Sequence, residues 1–157
     1  MKRWVITLIL VVAVVAGLGY VLGLAGVGQD KVTLGGKTYI VTIARTDAER
    51  QQGLSGTKSL PPDHAMLFVF PEASIEGTRI WMKDMNYPID IVWLDGGRKV
   101  VYTVNDAEPS GYNKAFPLAS TIYTPSAPAR YVIELPNGTI SKTGVNEDTV
   151  ATLPSGL

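Results

Sequence analysis

Residues 30–157 predict a mainly β domain: a compact β-sandwich or partly closed β-barrel with one short helix, preceded by an N-terminal transmembrane or signal helix. Three observations carry this. The 16 Gly and 10 Pro are scattered, so turns cut the chain into many short elements. Between the turns lie about eight apolar or alternating runs of strand length. Only one helix start is well marked, at Thr46-Asp47-Ala48-Glu49, with Thr at the cap and Glu three residues on.

The first element is apolar. Lys2 and Arg3 precede Trp4–Gly28, a run of 25 residues without a charge. A bilayer-spanning helix needs about 20 apolar residues, whereas a signal-peptide core has roughly 7–15. Residues 1–29 are therefore expected to form a retained anchor, with cleavage near Ala25, beside the small Gly23, as the alternative. The basic flank keeps Lys2 and Arg3 in the cytoplasm and sends residues 30–157 outside as a single domain. With no Cys in the chain, a lipid-linked form is excluded.

Lys31–Leu34 and Lys37–Ala44 flank Gly35-Gly36, the signature of a β-hairpin. The capping box opens a helix over Asp47–Gln52, which Gly53 ends. Ser55–His64, with Pro61-Pro62, is a loop. Ala65–Phe70 is a continuous apolar run and predicts a buried strand. Thr78–Lys83 and Ile89–Asp95 are strands, and Gly96-Gly97 turns the chain into Arg98–Val104. Glu108–Leu118 is a loop, Thr121–Thr124 and Arg130–Leu135 are strands, and Asn137-Gly138 is a turn. Ile140–Val145 forms a helical turn, and Thr149–Leu153 is the last strand.

Charge and composition remove several functions. The chain has 14 basic and 14 acidic residues; without Lys2 and Arg3, 12 basic face 14 acidic groups beyond residue 29. This is no footprint for nucleic acid. The lack of Cys removes dithiol chemistry, a Cys nucleophile and thiolate zinc, and the single His removes multi-histidine metal sites.

Short catalytic motifs occur without their context. Ser55-Gly56-Thr57-Lys58 matches S-x-x-K and Lys142-Thr143-Gly144 matches K-T-G, but the middle element of that set is missing and Ser55 follows a helix stop. His64 lies in a loop and no G-x-S-x-G elbow accompanies it. Asp84, Asp90 and Asp95 can be drawn as carboxylate pairs, yet turn residues of this kind are ordinary. His64, Met66, Met82 and Met85 form a soft-ligand set suited to Cu(I), although Met is also a common core filler.

Thr46–Leu60 (TDAERQQGLSGTKSL), Ala65–Pro71 (AMLFVFP) and Trp81–Asp95 (WMKDMNYPIDIVWLD) occur in order, followed by Tyr123, Ala129–Leu135 (ARYVIEL) and Gly138. In this the chain resembles the family called domain of unknown function 192, small and often exported bacterial and archaeal proteins. The resemblance spans nearly all of residues 30–157, and the W-M-K…P-x-D segment is its most specific part. It implies a compact β-rich domain and no established chemistry. The chain departs from the family pattern at Ser55 (usually Met), Thr57 (usually Arg), Ala65 (usually Gly), Asp84-Met85 (usually Asn-Thr) and Glu147 (usually Gly).

A binding site is expected at Trp81–Asp90. Trp81 and Tyr87 could stack on a flat or sugar-like ligand, Lys83 could meet an anion, Asp90 could orient Lys83, and Arg50 could join from the helix. A structural role for the segment, with a Lys83–Asp90 ion pair, is the competing reading. The expected function is thus an extracytoplasmic binding or envelope-accessory module. A small enzyme of envelope material using Lys83, Asp84 and Asp90 is the alternative, and Cu(I) binding is third. The expected partners are the membrane, through residues 4–28, and an unknown ligand or protein. A monomeric domain is expected, with no nucleic acid, cofactor, resident metal or assigned catalytic residue.

Overall fold

The computed structural model describes residues 29–115 and 120–157. The run Trp4–Gly28, on which the anchor and signal expectations fall, lies outside the described residues. Among the described residues no helix is long and apolar enough to cross a membrane.

The first hairpin is β1 (Lys31–Leu34) and β2 (Lys37–Ala44), paired antiparallel with Leu34 opposite Lys37. Its turn needs glycine twice over. Gly35 and Gly36 have φ of 56° and 75°, and a Cβ on Gly35 would stand 2.7 Å from a Val145 methyl. Helix α1 (Asp47–Gln52) follows as the capping box predicts. The Glu49 amide donates to Thr46 Oγ1 at 3.2 Å, and Glu49 Oε2 accepts from the Thr46 amide at 2.8 Å. Gly53 closes the helix by donating to the Glu49 carbonyl.

Strand β3 (His64–Ser74) returns parallel to β2, and the helix is the crossover. Next come a 3₁₀ turn at Glu76–Thr78, β4 (Ile80–Trp81), β5 (Ile89–Leu94), β6 (Val100–Ala107), a 3₁₀ turn at Pro109–Gly111, β7 (Ile122–Tyr123), β8 (Ala129–Pro136) and α2 (Thr139–Thr143). Six strands form one sheet in the order β1-β2-β3-β8-β5-β6, and β4 pairs with β7 in a separate two-stranded sheet.

The mainly β expectation thus stands, but the architecture is one open sheet covered on both faces, with no closed barrel and two short helices among the described residues. The cover explains this. One face carries Val41, Leu67, Val92, Ile133 and Leu135 and is capped by Ile140, Val145, Ala151 and Leu153 from α2 and the C-terminal segment. The other carries Met66, Phe68, Ile91, Trp93 and Val132, under Ile80 and Met82, with Leu54 packed against them. The second sheet, β4–β7, is a two-stranded ribbon that covers part of the second face rather than the other half of a sandwich. The expected last strand contributes bridges only: Thr152 pairs with Thr33 at one sheet edge, and Val150 pairs with Lys99 beside the other.

Candidate functional site

The site is built by alternation in β8. Tyr131, Ile133 and Leu135 point to the first face, so Val132 and Glu134 point to the second. Glu134 lies opposite Met66 of β3 and Ile91 of β5, both apolar. It is 5 % exposed, and its Oε2 is buried without a hydrogen-bond partner. Burial pushes its carboxyl up to about 8, so the group is mainly protonated at neutral pH.

Above this carboxyl lies a cavity of about 390 Å³. One wall is Asp47, Arg50 and the stretch Gln51–Ser55 of α1 and its exit; the opposite wall is Glu76, Gly77, Arg79, Ile80 and Trp81, with Met85 and Ile122. Phe68 and Phe70 of β3 complete the apolar lining. A bulge brings Phe70 there: β3 has four residues between the pairs Val69–Tyr131 and Ser74–Ala129, where β8 has only Arg130. The wall beyond is fixed from below. The fully buried Trp93 donates its ring N–H to the Thr78 carbonyl at 2.8 Å, and Thr78 Oγ1 donates to the Ser74 carbonyl at 2.7 Å.

Of the residues singled out in the sequence, Arg50 and Trp81 line the cavity. Arg50 Nη1 donates to the carbonyls of Val69, at 2.8 Å, and Arg45, while Nη2 pairs with Asp47. Its guanidinium also lies 5.1 Å from the Phe70 ring centre. Arg50 therefore clamps α1 onto β3. Trp81 is 45 % exposed at the mouth, beside Ile122 at 40 %. The Tyr112 ring meets it edge-on, and the Lys83 ammonium sits 5.9 Å from its centroid.

Lys83, Tyr87 and Asp90 do not line the cavity. Tyr87 shares a hydrogen bond with Thr57, and the Lys83 carbonyl accepts from Ser55 Oγ. The expected Lys83–Asp90 pair does not form. Asp90 is fully buried on the other face of the sheet, where Oδ1 accepts from the Asp106 amide at 3.1 Å and Oδ2 from the Ile140 amide at 2.7 Å. It fastens the bulged end of β6 and the start of α2 to β5. Asp84 is tied to Lys114, which lowers the Asp84 carboxyl and raises the Lys114 ammonium from their usual ranges. Asp90 thus lies apart from Lys83 and Asp84, and the geometry lends the enzyme alternative nothing. Met66 and Met82 are buried in the second apolar cluster with Met85 packed against it, while His64 bonds to Asp63. Among the described residues no group of three or more His, Asp or Glu is placed to hold a metal ion.

Sequence reasoning missed Glu134. A signal was present: it is the one acid in Tyr131–Leu135, a run whose other members are all apolar, so a strand buried on both faces must bury that acid too.

The comparisons with known proteins agree with this architecture. Over 118 residues the chain is 33 % identical to a UPF0127 protein of Thermococcus kodakarensis, covering 73 % of this chain and 66 % of that one. A UPF0127 protein of Thermococcus gammatolerans is 36 % identical over 107 residues, 68 % and 61 % of the two chains. The chain therefore spans a little less than two thirds of the length of these curated relatives. A Novosphingobium aromaticivorans crystal structure of unknown function superposes with TM-score 0.65 at 23 % identity, over 78 % of this chain and 83 % of that one, a likeness of fold alone. A Sinorhizobium meliloti structure, described as that of a proposed transcription regulator, gives TM-score 0.70 at 27 % identity over 83 % and 96 %. The DUF192 pattern, described as an uncharacterized ACR, matches residues 30–153, so the chain belongs to the DUF192 family.

Proposed function

We propose that the chain is a binding module for a small, largely apolar molecule, held outside the cytoplasm by residues 4–28. One observation carries the binding reading: a buried carboxyl with an unpartnered oxygen at the floor of a cavity of about 390 Å³ with Phe68, Phe70 and Trp81 in its lining. Buried polar atoms are nearly always satisfied, so a carboxyl that lines the cavity with one oxygen buried and unpartnered is explained by a ligand that completes the group. The uncharged run Trp4–Gly28 behind Lys2 and Arg3 supports the placement, and cleavage near Ala25 would change the tether without changing the site. The regulator description of the Sinorhizobium meliloti relative gains no support from charge, since 12 basic and 14 acidic groups follow residue 29.

The test is ligand screening of the full chain in detergent by melting temperature and tryptophan emission. Hits are expected to raise the melting temperature and to change the emission of Trp81, while Trp81→Ala weakens them at least ~5-fold, in the range of a lost aromatic contact. Hits of unchanged affinity in Trp81→Ala would place the ligand elsewhere, and a library without hits would sink the reading.

A further inference from the structure

We infer that the ligand of this cavity is a monocation on an apolar body, an ammonium or alkylated amine, which meets the Glu134 carboxylate at the floor. This rests on the ligand-binding reading above and names the chemistry of that site.

Charged groups from three parts of the fold face the cavity. Asp47 and Arg50 come from α1, Glu76 and Arg79 from the turn opposite, and Glu134 from β8; the in-register neighbours Met66 and Ile91 carry no charge. Both arginines are engaged. Arg50 is paired with Asp47 and two backbone carbonyls, and Arg79 Nη1 lies 3.0 Å from Glu76 Oε2. An anionic ligand inside the cavity would have to break one of these pairs, since Lys83, beside Trp81, lies outside the lining. With the two arginines matched by Asp47 and Glu76, Glu134 is the lining group left without an opposite charge. An incoming cation supplies it.

The walls suit the same ligand. Phe68, Phe70 and Trp81 line the cavity, and aromatic faces attract cations. Arg50 already stands over Phe70 at 5.1 Å and Lys83 over Trp81 at 5.9 Å, so Phe68, in the floor beside Glu134, is the ring left for the ligand's cation. The remaining lining residues Leu54, Ile80, Met85 and Ile122 accept an apolar body.

The proton balance is simple. The empty site holds Glu134 protonated. On binding, that proton leaves to solvent, the ligand keeps its own, and an N–H···O ion pair forms in the dry floor. Binding near neutral pH therefore releases close to one proton.

The experiment is calorimetry of the full chain at pH 7, in two buffers of different ionisation enthalpy, with 2-phenylethylamine, 2-phenylethanol and 3-phenylpropionate. The amine is expected to bind about tenfold more tightly than the alcohol and to release nearly one proton. Glu134→Gln should weaken the amine about tenfold and leave the alcohol within about twofold. Proton release is read on the unaltered chain, so it does not depend on how the variant folds. If the alcohol or the propionate binds as tightly as the amine, or the amine binds without proton release, the cation is wrong and the cavity reading stands. If none of the three binds, both fall.

Discussion

Glu134 is set inside the protein by strand alternation, and its cost has a definite pH signature. Its carboxyl is pushed from 4.5 to about 8 on folding. Below 4.5 both states hold the proton and nothing is lost. Between the two values only the unfolded chain ionises, so stability falls as pH rises; above about 8 the loss is complete. Urea titrations at pH 5 and pH 8 should show a decrease of at most about 4 kcal/mol that Glu134→Gln abolishes. Glu49, Asp63 and Asp84, all lowered by hydrogen bonds or ion pairs, stay ionised across this window, so the difference between the two proteins isolates Glu134. Asp90 behaves oppositely. Asp90→Ala leaves one buried and one half-buried amide bare and should cost about 2–4 kcal/mol, whereas Lys83→Ala, at an exposed side chain, should change stability by less than about 0.5 kcal/mol. The two losses should add, because no contact joins these residues. Trp81 and Arg50 were legible in the sequence because aromatic and cationic side chains near a loop announce themselves. Asp90 was misplaced because its partners are backbone amides from β6 and α2, which no local pattern reveals.

At the scale of elements, local signals served best where the hydrogen bonds are local. Helix α1 occupies Asp47–Gln52 as the capping box predicts, because both bonds of that box close within four residues. Strand β3 runs past the apolar stretch to Ser74, since its far end is held by Ala129 across the bulge rather than by its own composition. The strand expected at Thr78–Lys83 shrinks to Ile80–Trp81: Thr78 is claimed by the 3₁₀ turn, its carbonyl by Trp93, and its partner strand, β7, is two residues long. Thr46→Ala should lower stability by about 1 kcal/mol in urea denaturation. Since α1 is also a wall of the cavity, the same substitution should weaken any ligand that Trp81→Ala weakens. Equal affinity in Thr46→Ala would show that the helix does not shape the site.

Across the whole molecule, two covering layers settle an ambiguity that composition leaves open. Short strands with scattered turns suit a sandwich, a barrel or a covered sheet alike, and the choice lies in what packs over each face. Here α2 and the C-terminal segment take one face, and the β4–β7 ribbon, with Leu54 from the exit of α1, takes the other. The C-terminal segment also joins distant parts of the sheet. The Thr33 and Thr152 amides each donate to the other's carbonyl at 2.9 Å, the Val100 amide donates to Thr149 at 2.9 Å, and the Ala151 amide to Arg98 at 3.0 Å. Thr152→Pro removes one of these donors and should cost about 1–3 kcal/mol, measured by urea denaturation; an unchanged midpoint would deny the segment any part in stability.

That fastening also has an order in time. Thr33 and Arg98 leave the ribosome well before Thr149–Thr152, so β1 and the start of β6 wait, unjoined, for that segment. The strands between them can pair as they are made, while the latch stays open. Its closing is therefore a late event of folding, and whatever meets the nascent sheet earlier meets one whose edges are still untied.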